Sequence, residues 1–566
     1  MLIKHLRDHS IERPLQYFLA FLCLLVYAGS LFFPLADKDA GHHANIALYM
    51  YEHDTWVHLV DRGKDYLDKP HFLFWSSLVS FKLFGVNTFA HRFPAVIFAL
   101  VSLYSTYKLT RHLSGKTMAK LALAMLATAQ AFVFSINDAR METPLTAGII
   151  FGLWQLIVYI NNRKFLNIIL AALGASVAFA TKGWIGPIVM FIPAFFYILL
   201  NKKWNVFTSL KTWSFILFFF LFISPVLYAY YIQFDLHPEK IIRGKSGRSG
   251  IHFILWDQLF ERSAGFDQGK KGRNSDYFFL YHTFLWAFFP WCLFACLAVA
   301  FWFKRMLVKK KWRHPVNFAV LAFAFILFSI SFSNFKMPHY IIMLLPLAAI
   351  FTAPYLALIS SYKRSLKWAY PVQIFFAILV ILATLLMNYY FFPPRNLFVW
   401  TAGSALIIAL LFMIVKKHKV KGSQLVYISI SISLVFNFFM NYNFFPSLFS
   451  YQGGNQLARI IEDDNMDISH NKIMVLEHNA HSFEFYRKHI YPVIDQQTVV
   501  NKFDSMSEKY FLMNQYHANH FREQGFIVED VATHADHNVT TITLKFLNPE
   551  TRQVRDSLIL ARLSRP

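Results

Sequence analysis

Long apolar stretches separated by short polar ones dominate the chain from about residue 15 to residue 442. "WSFILFFFLFISPVLYAYY" is typical: it holds no charged residue over a length that covers a ~30 Å hydrocarbon core as a helix. A window of that length places spans near 15–34, 91–110, 117–134, 143–160, 165–181, 183–200, 212–233, 279–303, 316–333, 339–359, 369–391, 397–415 and 424–442. The expected fold is therefore a polytopic α-helical membrane protein of about thirteen spans. Two long polar segments interrupt the series, 35–90 and 234–278. Within the first, "HHANIALYMYEH" has the amphipathic pattern of a helix lying at a membrane interface. After about 443 the pattern changes. "KIMVLEH" (472–478), "KYFLMN" (509–514) and "TTITLKFL" (540–547) read as strands, and 482–489 and 514–525 as helices. The expected division is a membrane domain over 1–442 and a small α/β domain over 443–566.

Loop charge gives an orientation. With the N-terminus inside, the strong basic clusters between spans fall on one side: 1–14, 111–120, "NNRK", "NKK", "KRMLVKKKWRH", "KRSLK" and "KKHKVKG". The positive-inside rule makes that side cytoplasmic. Segments 35–90, 135–142, 234–278, 334–338, 392–396 and the C-terminal domain then share the opposite face.

Composition agrees. Of 566 residues, 56% are hydrophobic, 18% aromatic and 15% charged, too few charges for a solvent-covered surface. The net charge of +23 sits in the short inner loops, so it reports topology and not a nucleic-acid partner. The three cysteines, Cys23, Cys292 and Cys296, all lie in apolar runs and form no disulfide or zinc pattern. The first apolar run lacks a small-residue cleavage site and reads as a retained span.

Candidate chemistry gathers on the face opposite the basic loops. Asp37 and Asp39 follow the first span, and "YLDKP" supplies Tyr66, Asp68 and Lys69. "INDARMETP" packs Asp138, Arg140 and Glu142 between two spans. Lys182 stands in the otherwise apolar "FATKGWIGP", where a cation is costly unless partnered. "SFSNFKMPHYIIMLLP" adds Lys336, His339 and Tyr340. A carboxylate can take a proton from an attacking hydroxyl, and cations can stabilise charge growing on a phosphate. Together with apolar surface for a lipid chain, this set suits group transfer from a phosphorylated lipid. A transporter or flippase of lipid-linked sugars is the alternative. Transporters place ionisable groups near the bilayer midplane and carry repeated halves, whereas here the polar groups sit at one boundary.

These motifs resemble the GT-C membrane glycosyltransferases, the relatives of lipid A aminoarabinose transferases and of protein O-mannosyltransferases. The similar stretches are "DKDAGHHANIALYMYEHDTWVHLVDRGKDYLDKP", "DARMETPLT", "TKGWIGP", "LWDQLFERSAG" and "SNFKMPHYIIMLLPLAAI", in that order over residues 15–360. The resemblance implies a GT-C-type fold. It also implies inverting transfer of a sugar from a polyprenyl (undecaprenyl) phosphate to a lipid or protein acceptor on the periplasmic face of a bacterial inner membrane. It assigns Asp39 as the catalytic base and Glu142 as the second acidic catalytic position, which orients the acceptor or a metal. It places Lys69, Lys182, Arg262, Tyr340, Tyr66 and His42 around the donor phosphate and sugar. No cofactor is required; a divalent cation is compatible with the acidic groups. The chain departs from the family at two places. It reads Asp39-Ala40-Gly41-His42-His43 where Asp-Glu-Thr-Arg-Tyr is common, and Leu259 stands where relatives carry a histidine.

Overall fold

The computed structural model describes residues 13–37, 39–242, 245–259, 276–333, 336–394, 396–415, 421–464, 466, 468–476, 481–505, 509–539, 542–554 and 556–565. Eight helices among them are long and apolar enough to cross a membrane: Thr88–Ser114, Glu142–Asn162, Phe165–Lys182, Leu210–Asp235, Pro338–Ser360, Lys363–Phe391, Leu397–Val415 and Gly422–Phe449. A ninth candidate is the pair Lys116–Ala127 and Gln130–Asn137, bent by 54° between its halves. The chain is a multi-pass helical membrane protein. The other four expected spans are shorter pieces. Three are single helices, Tyr17–Gly29, Ile185–Asn201 and Asn317–Ser331. The segment expected as one span at 279–303 is instead two helices, Phe279–Ala287 and Cys292–Leu307. Pro290 lies between them, and its ring and missing N–H cannot continue a helix.

One helix pair matters most for the site. Glu142–Asn162 and Phe165–Lys182 form an antiparallel hairpin closed by Arg163 in a left-handed conformation. Glycines line their seam. A Cβ on Gly148 would stand 2.8 Å from the Gly174 carbonyl and the Ala178 nitrogen, and one on Gly174 only 2.5 Å from the Gly152 nitrogen. The two backbones therefore touch, as small residues permit between membrane helices. Glu142 begins the first helix and Lys182 ends the second, so the close hairpin sets them side by side.

The segment expected as a long polar loop, 35–90, contains two helices, Asp39–Glu52 and Phe72–Phe84, joined through a two-stranded hairpin. The hairpin turns at Arg62 and Gly63, both with positive φ (52° and 71°), the backbone that a tight two-residue turn demands. Asp39–Glu52 does not lie on a lipid surface as its pattern suggested. Ala40, Ala44, Ile46, Ala47, Leu48 and Met50 are all buried, because protein covers more than one face of the helix.

The C-terminal domain has a five-stranded sheet. Its order is Val493–Ile494, Ile473–Leu476, Tyr510–Asn514, Asp556–Ser564, Ile527–Asp536. The first three strands are parallel neighbours and the last two pair antiparallel. Helices His481–Arg487 and Gln515–Glu523 fall where expected. The expected strand at 540–547 does not: its described part is a single helical turn, Leu544–Leu547, started by the Thr543 side chain accepting from the Phe546 N–H. The β-branched run was outweighed by this cap.

This domain is docked onto the membrane part by polar contacts. Gln452 Nε2 donates to the Leu35 carbonyl (2.8 Å), and its Oε1 accepts from the Asp37 N–H (3.1 Å). Asp37 accepts from the Ser482 N–H at 2.6 Å. Glu52 receives the His489 ring and the Ile490 N–H. The segment that delivers Asp39 is thus clamped on both sides.

Candidate active site

Asp39 is the first residue of its helix, and its side chain is 54% exposed. From it a continuous polar chain runs inward. Arg140 Nη1 lies 3.5 Å from Asp39 Oδ2, and Arg140 Nε donates to Asp138 Oδ2 at 2.5 Å. The same guanidinium meets His339 Nδ1 at 2.9 Å. A guanidinium only donates, so Nδ1 accepts and the ring proton sits on Nε2. That nitrogen faces Glu142 Oε1 at 3.4 Å. The same oxygen accepts from Lys182 Nζ at 2.5 Å, and the Lys182 ammonium lies over the Tyr340 ring, 4.4 Å from its centroid. Asp138 above all, with Asp39 and Glu142 farther off, raises the Arg140 pKa and keeps it charged.

Exposure falls along this chain, from 54% at Asp39 through 28% at Arg140 to 6% at Glu142 and 8% at Lys182. Asp39 is the most exposed carboxylate of this chain of contacts. Glu142 is sealed and already engaged by Lys182 and His339. Lys182, which the sequence marked as costly without a partner, has one in Glu142.

A second group adjoins the first. The hairpin presents Asp61 Oδ2 3.4 Å from His42 Nδ1. Tyr66 packs edge-on to His42, with centroids 5.3 Å apart, and against Phe74 at 5.8 Å. Lys69 Nζ lies 3.4 Å from Asp68 Oδ2; burial first, and Lys69 as a smaller contribution, disfavour a proton on His42 and His43. The described part of the 234–278 loop ties this group to the hairpin helices. Gln258 Nε2 donates to the Asp68 carbonyl (3.1 Å), and Trp184 Nε1 donates to the Leu255 carbonyl (2.7 Å). Gly183, at φ 68°, leaves room for Gln258, whose Oε1 would be 2.0 Å from a Cβ there.

Asp39, Glu142, Lys182, Tyr340, His42, Tyr66 and Lys69 are therefore all at the end of the bundle that carries the C-terminal domain. Arg262 lies outside the described residues. Lys336 is placed elsewhere: it donates to the Asp276 carbonyl and sits over Tyr277. Among the described residues no three His, Cys, Asp or Glu side chains converge to hold a metal ion.

Sequence reasoning missed four participants. Arg92 is fully buried and donates to the carbonyls of Asn137, Phe33 and Pro34, binding the segment before Asp39 to the helix before Asp138. Its signal was the one that flagged Lys182, a cation inside an apolar helix. Asp61, His481 and Glu484 gave no such signal, since each reads as an ordinary polar residue in its element.

A bundle of this order, with its polar groups and a sheet domain at one end, is the GT-C fold of membrane glycosyltransferases. The crystal structure of ArnT from Cupriavidus metallidurans bound to undecaprenyl phosphate superposes with a TM-score of 0.75 at 15% identity, covering 97% of this chain and 98% of that one. Residues 68–229 match the dolichyl-phosphate-mannose-protein mannosyltransferase family. An uncharacterized protein of Aquifex aeolicus is 26% identical over 360 residues, 63% of this chain and 66% of that protein. The undecaprenyl phosphate-alpha-4-amino-4-deoxy-L-arabinose arabinosyl transferase 2 of Proteus mirabilis is 24% identical over 355 residues, 59% of each chain. The match thus spans about three fifths to two thirds of these relatives' length. The chain is a GT-C-fold membrane protein related to the protein O-mannosyltransferases and the aminoarabinose transferases.

Proposed function

We propose that the chain is an inverting glycosyltransferase. It moves a sugar from a polyprenyl phosphate, undecaprenyl phosphate in a bacterium, to a hydroxyl or phosphate of a lipid A-like or protein acceptor. The reaction takes place on the periplasmic face of the inner membrane. The observation that carries this reading is the half-exposed Asp39 carboxylate held 3.5 Å from Arg140, with the buried Glu142–Lys182 pair behind it. Asp39 takes the proton of a hydroxyl acceptor, or orients a phosphate acceptor that is already ionised, as the acceptor oxygen bonds to the anomeric carbon. The bond from that carbon to the phosphate oxygen breaks, and its electron pair leaves with the polyprenyl phosphate. Lys69, with Arg262, stabilises that departing charge, an electrostatic role that is strongest in a water-poor site. Glu142 and Lys182 position: Glu142 orients His339, His339 orients Arg140, and Arg140 aims Asp39. No cofactor enters the scheme.

The test is transfer by purified protein in detergent, supplied with an undecaprenyl phosphate-linked sugar and an acceptor lipid. Turnover without a sealed membrane is expected of an enzyme and not of a flippase. Asp39→Asn is expected to lower the rate by at least about 100-fold, the scale of general-base catalysis. Unchanged transfer by the Asn variant sinks the assignment.

A further inference from the structure

His42, in the first turn after Asp39, has surroundings that hold its ring in one orientation. Its Nδ1 faces Asp61 at 3.4 Å. Its ring is wedged between Tyr66 (5.3 Å, edge-on) and His481 (5.5 Å, edge-on). His481 comes from the C-terminal domain and is itself fixed. The Asn45 amide spans from its Nδ1 (3.4 Å) to Glu484 Oε2 (2.5 Å). Gly41 permits the approach, since a Cβ there would stand 2.9 Å from His481 Cβ and 2.9 Å from the Ala36 carbonyl oxygen. His42 therefore has a set orientation, with a carboxylate on Nδ1 and no partner on Nε2 among the described residues.

Positive charge is already supplied nearby by Lys69 and Arg62. Burial, then these two cations, lower the proton affinity of His42, against the opposing pull of Asp61 and Asp39. The neutral ring carries its proton on Nδ1, toward Asp61, because a carboxylate selects that tautomer. Nε2 is then a hydrogen-bond acceptor one helical turn from Asp39. An acceptor nitrogen repels phosphate oxygens and accepts from a hydroxyl or an amine. Beside Lys69, where the donor phosphate is proposed to sit, the group within reach is the sugar attached to that phosphate.

Resting on the glycosyltransferase reading, we infer that His42 reads a hydroxyl or amino group of the donor sugar through Nε2, held for that purpose by Asp61 and by His481 of the C-terminal domain. The His42 position is thus a determinant of donor specificity and not a phosphate ligand. The C-terminal domain is a working part of the site.

Two variants separate these roles. Asn reproduces Nδ1 and deletes Nε2; Gln places a polar atom near Nε2. Binding is measured in detergent by tryptophan fluorescence, with undecaprenyl phosphate and with a panel of undecaprenyl phosphate-linked hexoses and aminopentoses. His42→Asn is expected to weaken the tightest sugar-loaded lipid about three- to tenfold, the worth of one hydrogen bond. Affinity for sugar-free undecaprenyl phosphate is expected to stay within about twofold. His42→Gln is expected to recover most of that loss. Equal weakening of both lipids by Asn makes His42 a phosphate ligand and overturns the inference. So does no weakening of either, or a Gln variant as weak as Asn. Wild-type protein that binds neither kind of lipid overturns instead the glycosyltransferase reading.

Discussion

Lys182 and Glu142 show how a single residue's cost becomes a constraint. A buried ion pair gains little over an apolar pair of similar volume, but removing one partner leaves a buried charge. Glu142→Gln and Lys182→Met are each expected to destabilise the protein by about 3–5 kcal/mol. The double substitution is expected to fall well short of the sum. Thermal unfolding in detergent checks this: additive losses mean the two side chains do not act as a pair. Transfer should remain low in the double variant even where stability returns, because His339 has lost the carboxylate that orients it. Half of this arrangement was legible in the sequence. Lys182 stood out because a lone cation in an apolar helix needs a partner, and Asp39 and Tyr340 stood out by their motifs. The identity of the partner was not legible. It depends on Gly148, Gly152 and Gly174 bringing two helices into backbone contact, a tertiary fact with no local trace beyond the glycines themselves.

At the scale of elements, the helix His481–Arg487 carries more than its sequence announces. "HSFEFYR" reads as an ordinary amphipathic turn, yet Glu484 is buried against Asn45 of the helix that starts with Asp39. Burial pushes the Glu484 carboxyl up to about 8, helped slightly by Asp61, while Arg62, the Tyr491 N–H and the Asn45 amide pull the other way. The sign follows from linkage. A carboxyl raised from its ordinary 4.5 to about 8 keeps its proton in the folded protein and loses it on unfolding, so stability falls as pH climbs from about 4.5 to about 8. His481, Asp61 and Arg62 all face this group, so the slope of the whole interface is shared. Glu484→Gln mimics the protonated acid and is expected to flatten the part of the slope that Glu484 contributes. Limited proteolysis of the C-terminal domain at pH 5 and pH 8 measures it; identical pH dependence in the two proteins counts against a protonated Glu484. The misread elements have equally physical causes. The 540–547 run had strand-forming residues but a capping threonine in front of Leu544–Leu547, and 279–303 had the length of one span but a proline in its middle.

The whole molecule ties orientation to chemistry. The C-terminal domain grips Leu35, Asp37 and Glu52, so whichever side of the membrane holds that domain also holds Asp39. The basic loops, by contrast, place "KRSLK" at 363–367 on the cytoplasmic side by the positive-inside rule. These two arguments share no residue, and together they predict a site outside the cytoplasm. Single cysteines in a background with Cys23, Cys292 and Cys296 replaced by Ser test the conclusion. Glu523→Cys, on an exposed turn of the C-terminal domain, is expected to react with a membrane-impermeant maleimide on intact spheroplasts. Lys363→Cys is expected to react only after the membrane is opened. The reverse pattern would place Asp39 in the cytoplasm, where the leaving polyprenyl phosphate would be released into the inner leaflet. A donor presented on the outer leaflet could then not be its substrate. With the expected pattern, the sugar must reach this protein already linked to lipid and already across the membrane. On the proposed function, the task left to the site is to seat a lipid phosphate among cations beside a base.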